Sequence, residues 1–150
     1  MWFSKGKPVT EIPDDVLGFV YLITNTVDGR LYVGKKTFKF SKTSYKTVTL
    51  KNGTKKRKKI KKQVDSDWMD YYGSNKELLS DIEKHGPEFF IREILHFCSS
   101  KGEMSYLELK EQVLRDVLLT DAYYNGYIMA RINHSHLKKL KKTEKSENKD

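Results

Sequence analysis

Phe19-Val20-Tyr21-Leu22-Ile23 is an unbroken run of aromatic and branched residues, and it sets the first constraint on the fold. A run of this length and composition is what a buried strand needs. Asp28-Gly29 then supplies a turn, because glycine accepts a positive φ without steric cost. Leu31-Tyr32-Val33 reads as a second strand returning antiparallel to the first, and Phe89 to Phe97 as a third. The remaining apolar residues fall at helical spacing. Ser74-Asn75-Lys76-Glu77 fits a capping box that opens a helix running to about His85 and stopping at Gly86, with Leu78, Leu79 and Ile82 on its buried side. Ser100-Lys101-Gly102-Glu103 is a second, weaker box for a helix over about 103–119, whose core stripe would be Leu107, Leu114, Val117 and Leu118. A further stretch, 125–140, reads as helical in part. These elements predict an α+β fold with one core, as expected for 150 residues at 37% hydrophobic content.

Charge is segregated along the chain. From Lys35 to Lys62 there are 13 Lys or Arg and no acid, whereas Asp65 to Asp121 holds 13 acids against 6 bases. A second basic stretch runs from Arg131 to Lys142. Segregated positive charge marks a polyanionic partner more often than evenly spread charge does. A solvated or disordered Lys-rich face is the competing explanation. Within the basic insert Tyr45 to Leu50 alternates, Asn52-Gly53 is a strong hairpin signal, and Thr54 to Ile60 would return as a cationic strand. The insert therefore predicts a protruding basic ribbon, with a disordered loop as the alternative. Residues 1–17, with Pro8 and Pro13 and no clear period, read as an arm, and the charged tail 131–150 as partly disordered.

No apolar stretch approaches the ~20 residues of a membrane-spanning helix. The first residues lack the apolar run of a signal peptide, and Cys98 is the single cysteine, so no internal disulfide can form. A soluble cytoplasmic protein is the expectation. His134-Ser135-His136 has no further ligands at zinc spacing.

Phe19-Val20-Tyr21 and Tyr32-Val33-Gly34 place two tyrosines eleven positions apart on facing strands across a short turn. Tyr72-Gly73-Ser74 opens a helix ending in Lys84-His85-Gly86, followed by Phe90-Ile91-Arg92-Glu93-Ile94-Leu95. Glu108 lies in the next helix, and Tyr124-Asn125 follows 16 to 17 residues later. The order and spacing of these elements, over about residues 18 to 126, resemble the GIY-YIG endonucleases, in particular a phage-type, homing-endonuclease-like branch. In the first element Gly-Ile-Tyr has become Phe-Val-Tyr, with Gly18 displaced by one position.

The resemblance implies a small three-stranded antiparallel sheet flanked by helices, spanning 18–130 and carrying the basic insert 35–62. It also implies hydrolysis of DNA phosphodiester bonds with Mg²⁺ or another divalent cation. Glu108 is then the metal ligand, although a surface salt bridge explains the residue equally well by itself. Tyr21 becomes the group that activates water and Tyr32 the one that orients it, against the plain reading of both as core tyrosines. Lys35 and Lys36 follow Gly34 closely enough to stabilise developing charge. Asn125 would hydrogen-bond near the metal, unless Asn125-Gly126 is only a turn. Many relatives carry an arginine in the helix after the second strand; here the insert occupies that place, leaving Lys36 or Arg92 as substitutes. Double-stranded DNA is the implied partner, held by Lys35, Lys55, Lys56, Arg57, Lys58, Lys59, Lys61 and Lys62, mostly through nonspecific phosphate contacts. The rival readings are a non-catalytic nucleic-acid-binding module that keeps the fold and, more remotely, a ribosomal-type RNA binder.

Overall fold

The apolar run lies at the centre of a mixed sheet. In the computed structural model, which describes residues 1–138 and residue 140, strand β3 (Gly18–Asn25) is flanked antiparallel by β4 (Leu31–Thr37) and β7 (Phe90–Cys98). Seven of its eight residues are buried, which requires cover on both faces. Phe19, Tyr21 and Ile23 face one side, packed with Trp2, Phe38, Trp68 and Leu78. Val20 and Leu22 face the other, packed with Val33, Cys98, Met104 and Val117. Helix α1 (Lys76–His85) covers the first face and helix α2 (Lys101–Leu114) the second. The expected three-stranded antiparallel core flanked by helices is present. No described helix is long and apolar enough to cross a membrane.

The amino-terminal residues do not form a separate arm. β1 (Trp2–Ser4) and β2 (Lys7–Val9) extend the sheet in the order β2-β1-β7-β3-β4, with β1 parallel to β7. Trp2 explains the docking: it is 1% exposed, its Nε1 donates to the Trp68 carbonyl at 2.6 Å, and its ring meets Phe19 and Tyr21 edge to face. Two strands of three residues show no readable period, so only the tertiary pairing reveals them.

β5 (Lys39–Thr49) and β6 (Lys55–Asp65) pair antiparallel through eleven registered positions as a separate two-stranded sheet. The Asn52-Gly53 signal holds: Gly53 takes φ +81° and the Asn52 Oδ1 accepts from the Thr54 amide at 3.0 Å. The strands run longer than their alternation suggested.

The helix ends differ from expectation. Asn75, not Ser74, caps α1, its Oδ1 accepting from the Leu78 amide at 3.0 Å. Glu77 reaches Arg30 at 2.5 Å instead of turning back to the cap. Leu78 and Ile82 face the core as expected, whereas Leu79 is exposed. Ser100 caps α2 by accepting from the Glu103 amide, and Glu103 in turn accepts from the Ser99 amide and hydroxyl. α2 stops at Leu114, and Asp116 at φ +51° reverses the chain. Val117 is thereby turned into the core while Leu114 and Leu118 remain exposed, which breaks the predicted four-residue stripe. The stretch expected to be partly helical, 125–140, contributes among its described residues a 3-10 turn, His134–Leu137, with helical backbone also at Lys138 and Leu140. Of the tail 131–150 expected to be partly disordered, residues 139 and 141–150 lie outside those described.

Candidate active site

A cavity of about 600 Å³ opens along the outer edge of β4, lined by Tyr21, Tyr32, Lys35, Tyr71, Glu108 and Asn125 among others. β4 is the edge strand, so a site here receives side chains from both faces of the sheet. Tyr21 comes from the α1 face, opposite Gly34 in the ladder. A Cβ at position 34 would stand 2.5 Å from the Tyr21 Cζ and overlap its hydroxyl. The absence of a side chain at Gly34 is therefore what lets the Tyr21 ring lie across β4 and reach the cavity. The β3–β7 ladder also slips a residue between Val20 and Tyr21, an irregularity of the kind that re-aims a side chain. Tyr32 stands on the same face, its ring 6.1 Å from that of Tyr21. Gly73, at φ +89°, packs on both rings: a Cβ there would lie 3.1 Å from Tyr32 Cε1 and 3.3 Å from the Tyr21 hydroxyl.

Both phenols are held neutral. Burial pushes the Tyr21 hydroxyl well above its ordinary range, reinforced by Tyr32, by a hydrogen bond with Tyr71 and by the negative field of Glu108. Tyr32 is raised mainly by burial, partly opposed by a hydrogen bond with Ser74. Glu108 enters from α2, on the opposite face, with a side chain 15% exposed. Its carboxyl is raised by burial and only partly drawn back by Lys35, whose Nζ is 3.9 Å away and donates to Ser105 Oγ at 2.8 Å. Among the described residues the Glu108 carboxylate makes no hydrogen bond, and Lys35 is its one ionic neighbour. A desolvated, underused carboxylate facing a polar cavity fits a hard divalent cation. No group of three or more His, Cys, Asp or Glu assembles among the described residues, so the protein would offer one carboxylate plus neutral oxygens. Mg²⁺, which keeps several of its waters, accepts such a site.

Asn125 shares the cavity with Glu108, and its side-chain amide is engaged by β4. The chain at Ala122 to Tyr124 runs along the β4 edge, exchanging backbone hydrogen bonds with Leu31 at 2.7 and 2.9 Å. Asn125 continues that ladder with its side chain: Nδ2 donates to the Val33 carbonyl at 2.8 Å, and Oδ1 accepts from the Val33 amide at 3.0 Å. It lines the cavity while bracing the residue between Tyr32 and Gly34. Asn75 ties α1 to the same segment by donating to the Tyr124 carbonyl at 3.0 Å. The amino-terminal end of α1 and the two residues before it, 74 to 77, face the cavity, so the positive end of that helix is turned toward it.

Lys36 and Arg92, the two candidates for the missing arginine, are not in the lining. Lys36 pairs with Asp67 at 2.6 Å and sits 4.0 Å over the Tyr71 ring. Arg92 is 3% exposed, lies between the rings of Trp2 and Tyr72, and donates to the Met69 and Tyr71 carbonyls at 2.9 Å each. The sequence offered both as substitutes without placing either at the site by spacing, and each is spent on holding Tyr71. The contact of Tyr71 with Tyr21, rings 6.1 Å apart and edge to face, is purely tertiary. Ser74 was read as a cap and serves Tyr32 instead. The ribbon cations Lys55, Lys56, Arg57, Lys58, Lys59, Lys61 and Lys62 lie outside the cavity, all exposed to solvent.

Residues 2–128 match the family described as "Putative endonuclease segE, GIY-YIG domain". No curated protein and no solved structure matches the chain. The match begins at the docked Trp2 and covers both tyrosine elements, the ribbon, Glu108 and Asn125. The chain belongs to the GIY-YIG endonuclease family, in its phage type.

Proposed function

We propose that this protein is a divalent-cation-dependent endonuclease that hydrolyses the phosphodiester backbone of double-stranded DNA in the β4-edge cavity. Membership of the family implies nuclease activity in general. What carries the finer reading is the meeting of Tyr21, Tyr32 and Glu108 in one cavity, although they come from opposite faces of the sheet and from distant points of the chain. A cation held by Glu108 would supply Lewis-acid neutralisation of the phosphoryl oxygens. Tyr21 is a neutral phenol at neutral pH, so its hydroxyl positions the attacking water and relays a proton, taking one from the water only as it gives its own to a phosphoryl oxygen. Tyr32, tethered to Ser74, orients the same water or the phosphate. Lys35 sets a fixed positive charge beside the scissile group, and the α1 amino terminus adds a partial one. Asn125, Lys36 and Arg92 act as positioning residues that hold β4 and Tyr71 in place.

A second reading, a fold retained for binding without turnover, is favoured by one observation: no guanidinium lines the cavity, where the described cations are Lys35 and Lys76. Incubation with supercoiled plasmid separates the two. Nicking that requires Mg²⁺ and stops with EDTA supports the nuclease, and Glu108→Ala should then abolish cutting while leaving DNA affinity within about twofold, because the carboxylate holds metal rather than DNA. Binding without cleavage under any divalent cation would select the second reading.

A further inference from the structure

We infer that the β5–β6 ribbon enters the major groove of duplex DNA and reads base edges with the face that carries Thr43, Tyr45, Thr47 and Arg57. The inference deepens the assignment of DNA as substrate and rests on it. Register alternation divides the ribbon into two faces. One carries Lys39, Lys55, Arg57, Lys59 and Lys61; the other carries Lys42, Lys46, Lys56, Lys58 and Lys62. Five cations on each face is not the pattern of an arm laid on one phosphate backbone, which needs charge on one side only. Long cationic side chains on both faces can extend past both strand edges, toward the phosphates on either side of a groove.

Dimensions select the groove. Eleven residues at ~3.3 Å each give a ribbon of about 36 Å, close to one turn of B-DNA. The major groove, about 12 Å wide, admits a two-stranded ribbon, whereas the minor groove at about 6 Å does not without distortion. The right-handed twist of paired strands lets the ribbon follow the groove. A-form RNA presents a major groove too narrow for side chains to read.

The faces also differ in chemistry. Phe40, Val48, Ile60 and Val64, the apolar residues of the paired strands apart from Tyr45, share one face. The opposite face carries threonine hydroxyls and the ribbon's single arginine. The Arg57 guanidinium lies 4.3 Å over the Tyr45 ring, so its donor fork is held in place before any contact is made. A fixed guanidinium is suited to the O6 and N7 acceptors of guanine, and a lysine is not its equivalent. At its root the ribbon is tied to β4: the Ser66 amide donates to the Phe38 carbonyl at 2.8 Å and the Ser66 hydroxyl to the Thr37 carbonyl at 2.5 Å. Because β4 also edges the cavity, bases read by the ribbon would lie about one helical turn or less from the cut.

The test uses the full chain carrying Glu108→Ala, in EDTA, so that binding is measured whether or not the wild type cleaves. Selection from a random-sequence duplex pool should enrich a preferred sequence, and rebuilding that duplex with 7-deazapurines, which lack the N7 acceptor, should weaken binding about fivefold or more. Arg57→Lys with Thr43→Val and Thr47→Val should remove that difference while leaving the salt dependence unchanged, since charge is conserved. No enrichment, equal affinity for the 7-deaza duplex, or displacement by the minor-groove ligand netropsin but not by the major-groove ligand methyl green would each overturn the inference. None of these outcomes bears on whether the wild type cuts DNA, which the plasmid assay decides separately.

Discussion

Tyr21 is 1% exposed and its hydroxyl lies over Gly34, so the residue is at once a core aromatic and a cavity wall. The two roles separate in Tyr21→Phe, which keeps the ring and removes only the hydroxyl. Cleavage should fall by roughly 10²-fold if the phenol takes the proton of the attacking water, with the chain still folded. A lowered melting temperature with unchanged turnover per folded molecule would make Tyr21 a core residue only. Glu108 carries a pH signature. Burial raises its carboxyl, so the folded protein binds that proton more tightly than the unfolded chain does. The stabilising effect of the neutral form is complete below the ordinary glutamate value and is lost as pH rises through the raised one. Glu108→Gln in EDTA should therefore have a higher melting temperature than wild type at neutral pH, and the gain should vanish by about pH 4. A melting difference that persists at low pH would mean that packing, not charge, is responsible.

Two elements invite tests of their own. The ribbon holds nine Lys or Arg from Lys46 to Lys62 with no acid, and its strands bury almost nothing. Each phosphate neutralised adds about −0.9 to the slope of log affinity against log salt. Replacing Lys55, Lys56, Lys58 and Lys59 by Ser should flatten that slope by about two to four units and weaken all sequences alike. An unchanged slope would move the clamp to the basic stretch that begins at Arg131. The β1–β2 hairpin is tested by Trp2→Ala. It removes a buried indole that bonds Trp68 and stacks on Arg92, and it should cost about 3–5 kcal/mol in urea unfolding. A loss below about 1 kcal/mol would return the hairpin to a peripheral arm.

Across the whole molecule, what could be read in the sequence is what depends on neighbours in the chain. The apolar run at 19–23, the Asp28-Gly29 turn, the Asn52-Gly53 hairpin and the α1 stop at Gly86 all emerged because side-chain period and glycine conformation act over a few residues. The spacing of the tyrosines to Glu108 and Asn125 was legible only through resemblance to a family, since no local rule joins a strand tyrosine to a helix glutamate 87 positions later. Tertiary structure decided the rest. β4 had to become an edge strand before side chains from both faces could meet around it, and Gly34 had to lie opposite Tyr21 before the phenol could cross. Trp2 docked because a buried indole needed a carbonyl partner, which Trp68 provided. Arg92 went to the Tyr71 and Met69 carbonyls because a buried guanidinium takes whichever acceptors the fold leaves open. Local periodicity determined which segments become strands and helices; which of their side chains share a cavity was determined only when the sheet acquired its strand order, because that order sets the distances on which the chemistry depends.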